Sequence, residues 1–330
     1  MTLPAPATDL PDLTGHATSR GVTALHDGIA GPRYADPVDV ARHGEYRVRR
    51  EPGDTRPLYR FAGRVQADPD AEFPAAPGRY HLWSGWFCPW AQRTVIVRAL
   101  RGLQDVVSLS YVDHARDGRG WAFREETGPD PVNGFTLLRD AYEATEPGFD
   151  GHVSVPTLWD RVSGRVVSNT FGDITLDLAT AFDPWARGVD TYPAALRPAI
   201  DALNERLLVA VNHGVSTAAG SGPQAQAAAE LLHTALAELD ERLTTSRYLH
   251  GEAVTESDVR LWVTLVRFDV TYNADGRLGR RLTDYPNLWA YARDLYQQPA
   301  FGDSTDFSTF ARLGAAVPDW DATSGRGPGA

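Results

Sequence analysis

The stretch RYHLWSGWFCPWAQRTVIVRALRGLQDVVSLSYVD, residues 79–113, restricts the possible folds more than any other part of the chain. RYHLWSG (79–85) reads as a strand, CPWAQRTVIVRALRGL (88–103) as a helix and VVSLSYVD (106–113) as a second strand. Two strands joined through a crossover helix run parallel in one sheet. The turn after Gly85 therefore lies at the carboxyl end of a strand, where open α/β sheets place their ligands.

The pattern on either side extends this unit. A possible short helix around Leu137–Tyr142 precedes VSVPTLWD (153–160), a Val162–Gly164 turn and RVVSN (165–169), two strands expected to pair as a hairpin. FGDITLDLATAF (171–182) then carries Ile174, Leu178, Ala181 and Phe182 at helical spacing. After Pro184 the segments 194–214, 224–243, 256–272 and 287–299 are all apolar at i, i+3, i+4 spacing, so this half reads as all-helical. Residues 1–78 are rich in Pro, Gly, Asp and Arg without sustained periodicity. They read as an extended arm over a core that begins near Arg79, while the tail SGRGPGA is expected to be disordered.

Composition removes several classes of function. All 32 basic residues are arginine, which excludes a lysine Schiff base and a P-loop lysine. A net charge of −11 argues against a general nucleic-acid or anionic-membrane binder, and the basic cluster RLGRR (277–281) reads as a solvated loop. No apolar run approaches the ~20 residues needed to cross a bilayer. MTLPAPATDLPDLTG lacks the features of a signal peptide, and a single cysteine allows no internal disulfide, so a reducing cytoplasm is expected. The nine histidines form no pair within four residues, no GxSxG elbow is present and no metal is expected.

That single cysteine, Cys88, stands just before Pro89. If Cys88 is the N-cap, proline occupies the one helical position where a missing N–H costs nothing, and the amides of Trp90 and Ala91 point back toward the sulfur. Those amides and the positive helix end favour a thiolate nucleophile. A lone cysteine is more often a small buried hydrophobe, but its place at a strand's carboxyl end favours function. Trp83, Trp86, Phe87, Trp90 and Trp121 crowd the same region; most would pack, and one or two could stack a flat ring. Val155-Pro156, at an apparent strand, implies an edge, a bulge, a cis bond or an ordinary strand start. VTESDVRL (254–261) reads as a capping box with Thr255 as N-cap, Asp258 reaching back and Val254 stapled onto Val259.

A strand–helix–strand plus hairpin–helix half with this cysteine, followed by an all-helical half with a Thr-x-x-Asp box, resembles the cytosolic glutathione transferases. The Xi class, the glutathionyl-hydroquinone reductases, is the most similar. The residues that carry the resemblance are RYHLWSGWFCPWAQRT with its CPWA-x-R pattern, GWAF (120–123), VPTLWD (155–160), VVSN and Asp173-Ile174, VNHGV (211–215) and SDVRLWVTLVRFDVTY (257–272). They span roughly residues 40–310. The resemblance implies an α/β plus all-α fold: a thioredoxin-like domain over 79–184 and an all-helical glutathione-transferase domain over 185–315, with an arm at 1–78 and a tail at 316–330. It also implies a homodimer acting on a small-molecule thiol and an aromatic electrophile or thioether. Cys88 would attack the sulfur of a thiol conjugate, release the hydroquinone and leave a mixed disulfide for a second thiol to resolve. Trp121 would lie against the thiol, the Val155 backbone would pair with it, and Trp86, His213, Ser216, Arg267 and Tyr272 would belong to the substrate pocket.

The departures from the family bear on which thiol is used. Where relatives read SNES, this chain reads Ser168-Asn169-Thr170-Phe171, so the Glu-Ser pair that holds the γ-glutamyl group is replaced. Losing that carboxylate removes a charge-assisted contact worth about 1.5–3 kcal/mol. Ser216 stands where relatives carry a pocket tyrosine, and a second family tyrosine has no counterpart in TDFSTFARLGAA (305–316). An arginine-only composition suggests a G+C-rich genome, and many such bacteria use mycothiol or ergothioneine. Either is therefore expected in place of glutathione, with Phe171 offering a cation–π face to ergothioneine or Thr170 and Asp173 offering polar contacts to mycothiol. Two other readings stay open: an S-transferase that conjugates a low-molecular-weight thiol to an electrophile, and a non-catalytic binding protein of the same fold.

Overall fold

The computed structural model describes residues 31–48 and 53–321. The readings of the first 30 residues and of the SGRGPGA tail lie outside them. Residues from Arg33 onward form one compact unit.

A short turn of helix, α1 (Val40–His43), and a two-residue parallel pair, β1 (Val65–Gln66) with β2 (Phe73–Pro74), precede the main sheet. Then follow β3 (Tyr80–Ser84), α2 (Pro89–Leu100), β4 (Val107–Tyr111), α3 (Leu138–Thr145), β5 (Thr157–Asp160), β6 (Arg165–Ser168) and α4 (Phe171–Thr180). The four strands lie in the order β4-β3-β5-β6, with β3 parallel to β4 and antiparallel to β5. This is the thioredoxin-like arrangement, with the β5–β6 hairpin antiparallel as expected. The expected strand at 153–160 begins only at Thr157; Val155 and Pro156 precede it, joined by a cis peptide bond.

Strand alternation divides the sheet's side chains between two cores. Tyr80, Leu82, Leu158 and Val167 pack with α2 and α4, in a cluster that continues into the helical half. Trp83, Trp159 and Val166 pack on the opposite face with Leu138, Ala141 and Tyr142 of α3. The core does not begin at Arg79: Val65 and Phe73 are buried in the first cluster. The segment before them lies along β6, with Gly63 N–H donating to the Val167 carbonyl at 2.9 Å and Asn169 N–H to Phe61 at 2.9 Å. An edge strand is thus covered by a stretch that has no periodicity of its own.

The helical half comprises α5 (Arg197–Leu207), α6 (Gly214–Ala218), α7 (Pro223–Arg242), α8 (Glu256–Arg267), α9 (Pro286–Tyr296) and α10 (Pro299–Gly302). Two of the expected continuous helices are interrupted by π-helical turns, Leu208–His213 after α5 and Phe268–Tyr272 after α8. Wide turns of this kind recur at functional sites, and each of these ends on a residue of the expected pocket. No helix among the described residues is long and apolar enough to cross a membrane.

The capping box at α8 is present. Asp258 Oδ2 accepts from the Thr255 amide and hydroxyl, both at 2.7 Å, and Oδ1 accepts from Leu249 N–H at 2.9 Å and the Tyr291 hydroxyl at 2.8 Å. Val254 and Val259 are buried in the same cluster. Asp258→Ala strands these donors in the core and is expected to lower the unfolding free energy by about 3 kcal/mol in urea titration. A loss below about 1 kcal/mol would show the network to be dispensable.

Candidate active site

Cys88 is the N-cap of α2, with extended backbone at φ −91° and ψ 115° and Pro89 at the first helical position. The turn is closed by Cys88 N–H donating to the Gly85 carbonyl at 3.0 Å. A Cβ at Gly85 would lie 2.6 Å from the Phe87 ring, so a side chain there would have to displace that ring. The half-buried Cys88 directs Sγ toward the Val155 carbonyl, 3.6 Å away, immediately before the cis-proline. None of the hydrogen bonds among the described residues uses the Val155 N–H.

The ionisation of this thiol differs from the expectation. Burial pushes Cys88 above the ordinary thiol range; the amides of Ala91 and Trp90 and the guanidiniums of Arg267 and Arg93 pull it back without cancelling the rise. Helix-end electrostatics are present as read from the sequence, but desolvation, which depends on tertiary packing, outweighs them. Burial thus opposes the thiolate, and Sγ is placed to donate to the Val155 carbonyl.

Trp121 joins Cys88 at the edge of the Trp83 cluster. Its ring lies 4.4 Å from Phe87 and is faced by the Arg116 guanidinium at 4.2 Å. Thr170 is the N-cap of α4 but makes no side-chain cap bond; its hydroxyl donates to the Phe61 carbonyl at 3.5 Å. Phe171 begins α4 and packs on Trp90 with ring centroids 4.6 Å apart, and His213 reaches the same Trp90 at 4.9 Å. Asp173 faces Arg64 at 3.5 Å. Trp86 lays its ring on Tyr111 at 4.2 Å, and its carbonyl accepts from Arg267 at 3.2 Å. Tyr272 lies in the field of Cys88, and burial is the main cause that pushes its hydroxyl up. Ser216 is exposed on α6, three residues beyond His213. The structure thus gathers Trp121, Val155, Phe171, His213, Arg267 and Tyr272 around the α2 end.

Two groups near Cys88 had not been assigned from the sequence. Arg93 is buried, and desolvation lowers it to about 9; Arg267 is lowered for the same reason to about 10. Tyr59, from the segment read as arm, also feels Cys88, although burial is the larger cause of its raised hydroxyl. Arg93 stands in the quoted AQRT, but only the fold reveals its surroundings. Elsewhere, Asp113, His114 and Glu126 bring ligand atoms within 4.8 Å of one another. Asp113 already accepts from Arg124 at 2.8 Å, an ion pair that a metal would have to displace.

Residues 222–294 match the family model described as the C-terminal domain of glutathione S-transferase. The chain is 41% identical over 225 residues to glutathionyl-hydroquinone reductase PcpF of Sphingobium chlorophenolicum, covering 66% of this chain and 72% of that protein. Among solved structures it is similar to the glutathione-bound structure of YqjG from Escherichia coli K-12, with a TM-score of 0.74 and 33% identity over 81% of this chain and 96% of that one. A Xi class glutathione transferase from Natrialba magadii superposes with a TM-score of 0.72 and 35% identity, covering 76% and 80% of the two chains.

Proposed function

The chain belongs to the glutathionyl-hydroquinone reductases, the Xi class of glutathione transferases, and from that premise we propose that it is a thiol-dependent reductase of aryl thioethers. The observation that carries this reading is the position of Cys88: the N-cap of α2, with Sγ on the Val155 carbonyl beside the cis-proline. Cys88 attacks the sulfur of a thiol–hydroquinone conjugate. A sulfur–sulfur bond forms, the aryl carbon–sulfur bond breaks, and the ring carbon takes the electron pair and the proton that Cys88 gives up. The ring is reduced to the free hydroquinone, and the two sulfurs are oxidised to a mixed disulfide. A second thiol then exchanges into that disulfide and restores Cys88.

The thiol is mycothiol or ergothioneine in place of glutathione. The support lies at the start of α4, where Thr170 and Phe171 bring no carboxylate to meet a free ammonium and Asp173, the one acid of the first turn, faces Arg64. Phe171 and Trp90 supply an aromatic face there, while Thr170 supplies a hydroxyl. A homodimer in a reducing cytoplasm belongs to the same proposal; its support is family membership and the lone Cys88.

Hydroquinone release from conjugates made with mycothiol, ergothioneine and glutathione tests this. Faster release from either of the first two is expected. Release from the glutathione conjugate alone would overturn the choice of thiol. No release, together with conjugation of a thiol to an electrophile, would make the chain an S-transferase.

A further inference from the structure

Two guanidiniums beside Cys88 have hydrogen-bonding capacity that the fold leaves unused. Arg93, five residues along α2, is 1% exposed, and its Nε, Nη1 and Nη2 find no acceptor among the described residues. What holds it is aromatic: its guanidinium carbon lies 4.6 Å from the Trp90 ring and 5.4 Å from Phe171. Arg267, also 1% exposed, donates to Gln92, to the Val263 carbonyl at 3.0 Å and to the Trp86 carbonyl at 3.2 Å, leaving Nε without a partner. Glu256 acts on Arg93 only from a distance; its carboxylate accepts from Asn204 and from Arg260 at 2.6 Å.

A buried cation without an acceptor is strongly unfavourable, and folded proteins keep such a group where a ligand or ion completes it. Arg267 reaches the Trp86 carbonyl at 3.2 Å, two residues before Cys88, and Arg93 lies on Trp90, two residues after it, so both unfilled guanidiniums flank the turn that carries the reacting sulfur. Arg267 comes from the helical half and stacks on Phe310 at 4.1 Å. The groups expected to meet the thiol, Trp121, Val155, Thr170, Phe171 and Asp173, all come from the thioredoxin-like half, and of them Phe171 lies against Arg93. Arg267 and Phe310, from the helical half, therefore face the other part of the conjugate.

We infer that Arg93 and Arg267 form an anion subsite that takes an acidic oxygen carried on the aromatic ring of the substrate. This rests on Cys88 being the nucleophile. The chemistry recognised is a phenolate or ring carboxylate, with Phe310 against the ring and the guanidinium nitrogens on the oxygen.

Alkylation of Cys88 by iodoacetate and by the neutral iodoacetamide reads the subsite directly. Both reagents consume the same thiolate, so their rate ratio cancels its basicity. The ratio is expected to exceed that of a free small-molecule thiol by about tenfold or more. Arg93→Met, which keeps an apolar stem on Trp90, should return it to the free-thiol value, and Arg93→Lys should retain part of the preference. On the unaltered chain, benzoate should protect Cys88 saturably, whereas benzamide and acetate at the same concentration should not; this arm decides if the Arg93 variants fail to fold. A reactive Cys88 with no preference for iodoacetate and no benzoate protection overturns the subsite alone. Equal protection by acetate overturns the aromatic assignment. A Cys88 inert to both reagents overturns the nucleophile and the subsite with it.

Discussion

Cys88→Ser is expected to lower hydroquinone release by more than about a thousandfold while leaving the thermal midpoint unchanged within a few degrees. A serine hydroxyl is a far weaker acid than a thiol and cannot form the mixed disulfide that holds the thiol's sulfur while the ring carbon takes the electron pair of the carbon–sulfur bond. The fold should tolerate the change, because Cys88 is half-buried at an N-cap that currently makes no side-chain cap bond, and serine is a preferred N-cap. Measuring kcat/KM for release alongside a thermal melt separates the two effects. Residual activity within tenfold of the parent would move the nucleophile elsewhere.

The double substitution Thr170→Glu with Phe171→Ser should raise glutathione affinity by about 10- to 100-fold in calorimetric titration. It places a carboxylate at the N-terminal end of α4, where the helix end favours negative charge, and removes the ring that packs on Trp90. Thr170 makes no side-chain cap bond, so the helix loses none. The lost Phe171 packing should cost about 1 kcal/mol of stability, since the ring is only partly buried. Unchanged glutathione affinity would mean that this end of α4 does not select the thiol.

What could be read from the sequence follows from how local each feature is. The order β3, α2, β4 and the β5–β6 hairpin are set by alternation, helical spacing and a Ser-Gly turn within short stretches, and these hold in the structure. The α2 N-cap is equally local: Cys88-Pro89 suffices to place it. The pKa of Cys88 is not local. The amides that lower it belong to its own helix, but the burial that raises it comes from side chains brought in from distant parts of the chain.

The same distinction explains the other differences. Apolar residues at i, i+3, i+4 spacing cannot separate an α-helix from one with a π-helical turn, so the interruptions ending at His213 and Tyr272 were hidden in continuous patterns. Val65 and Phe73 enter the core from a stretch without period because their neighbours pair with the β6 edge, a contact about a hundred residues away in sequence. Arg93 is visible in the sequence, but its lack of an acceptor is a property of everything packed around it. The neighbour of Asp173, Arg64, comes from the segment before the sheet, so no local pattern reveals it.

Intact-protein mass spectrometry after one turnover without free thiol is the most direct test. One equivalent of thiol–hydroquinone conjugate should leave Cys88 carrying the thiol as a disulfide, a mass gain equal to the thiol less two hydrogens and reversed by reductant, with one equivalent of free hydroquinone released. Hydroquinone released while Cys88 stays unmodified and alkylatable would contradict the account.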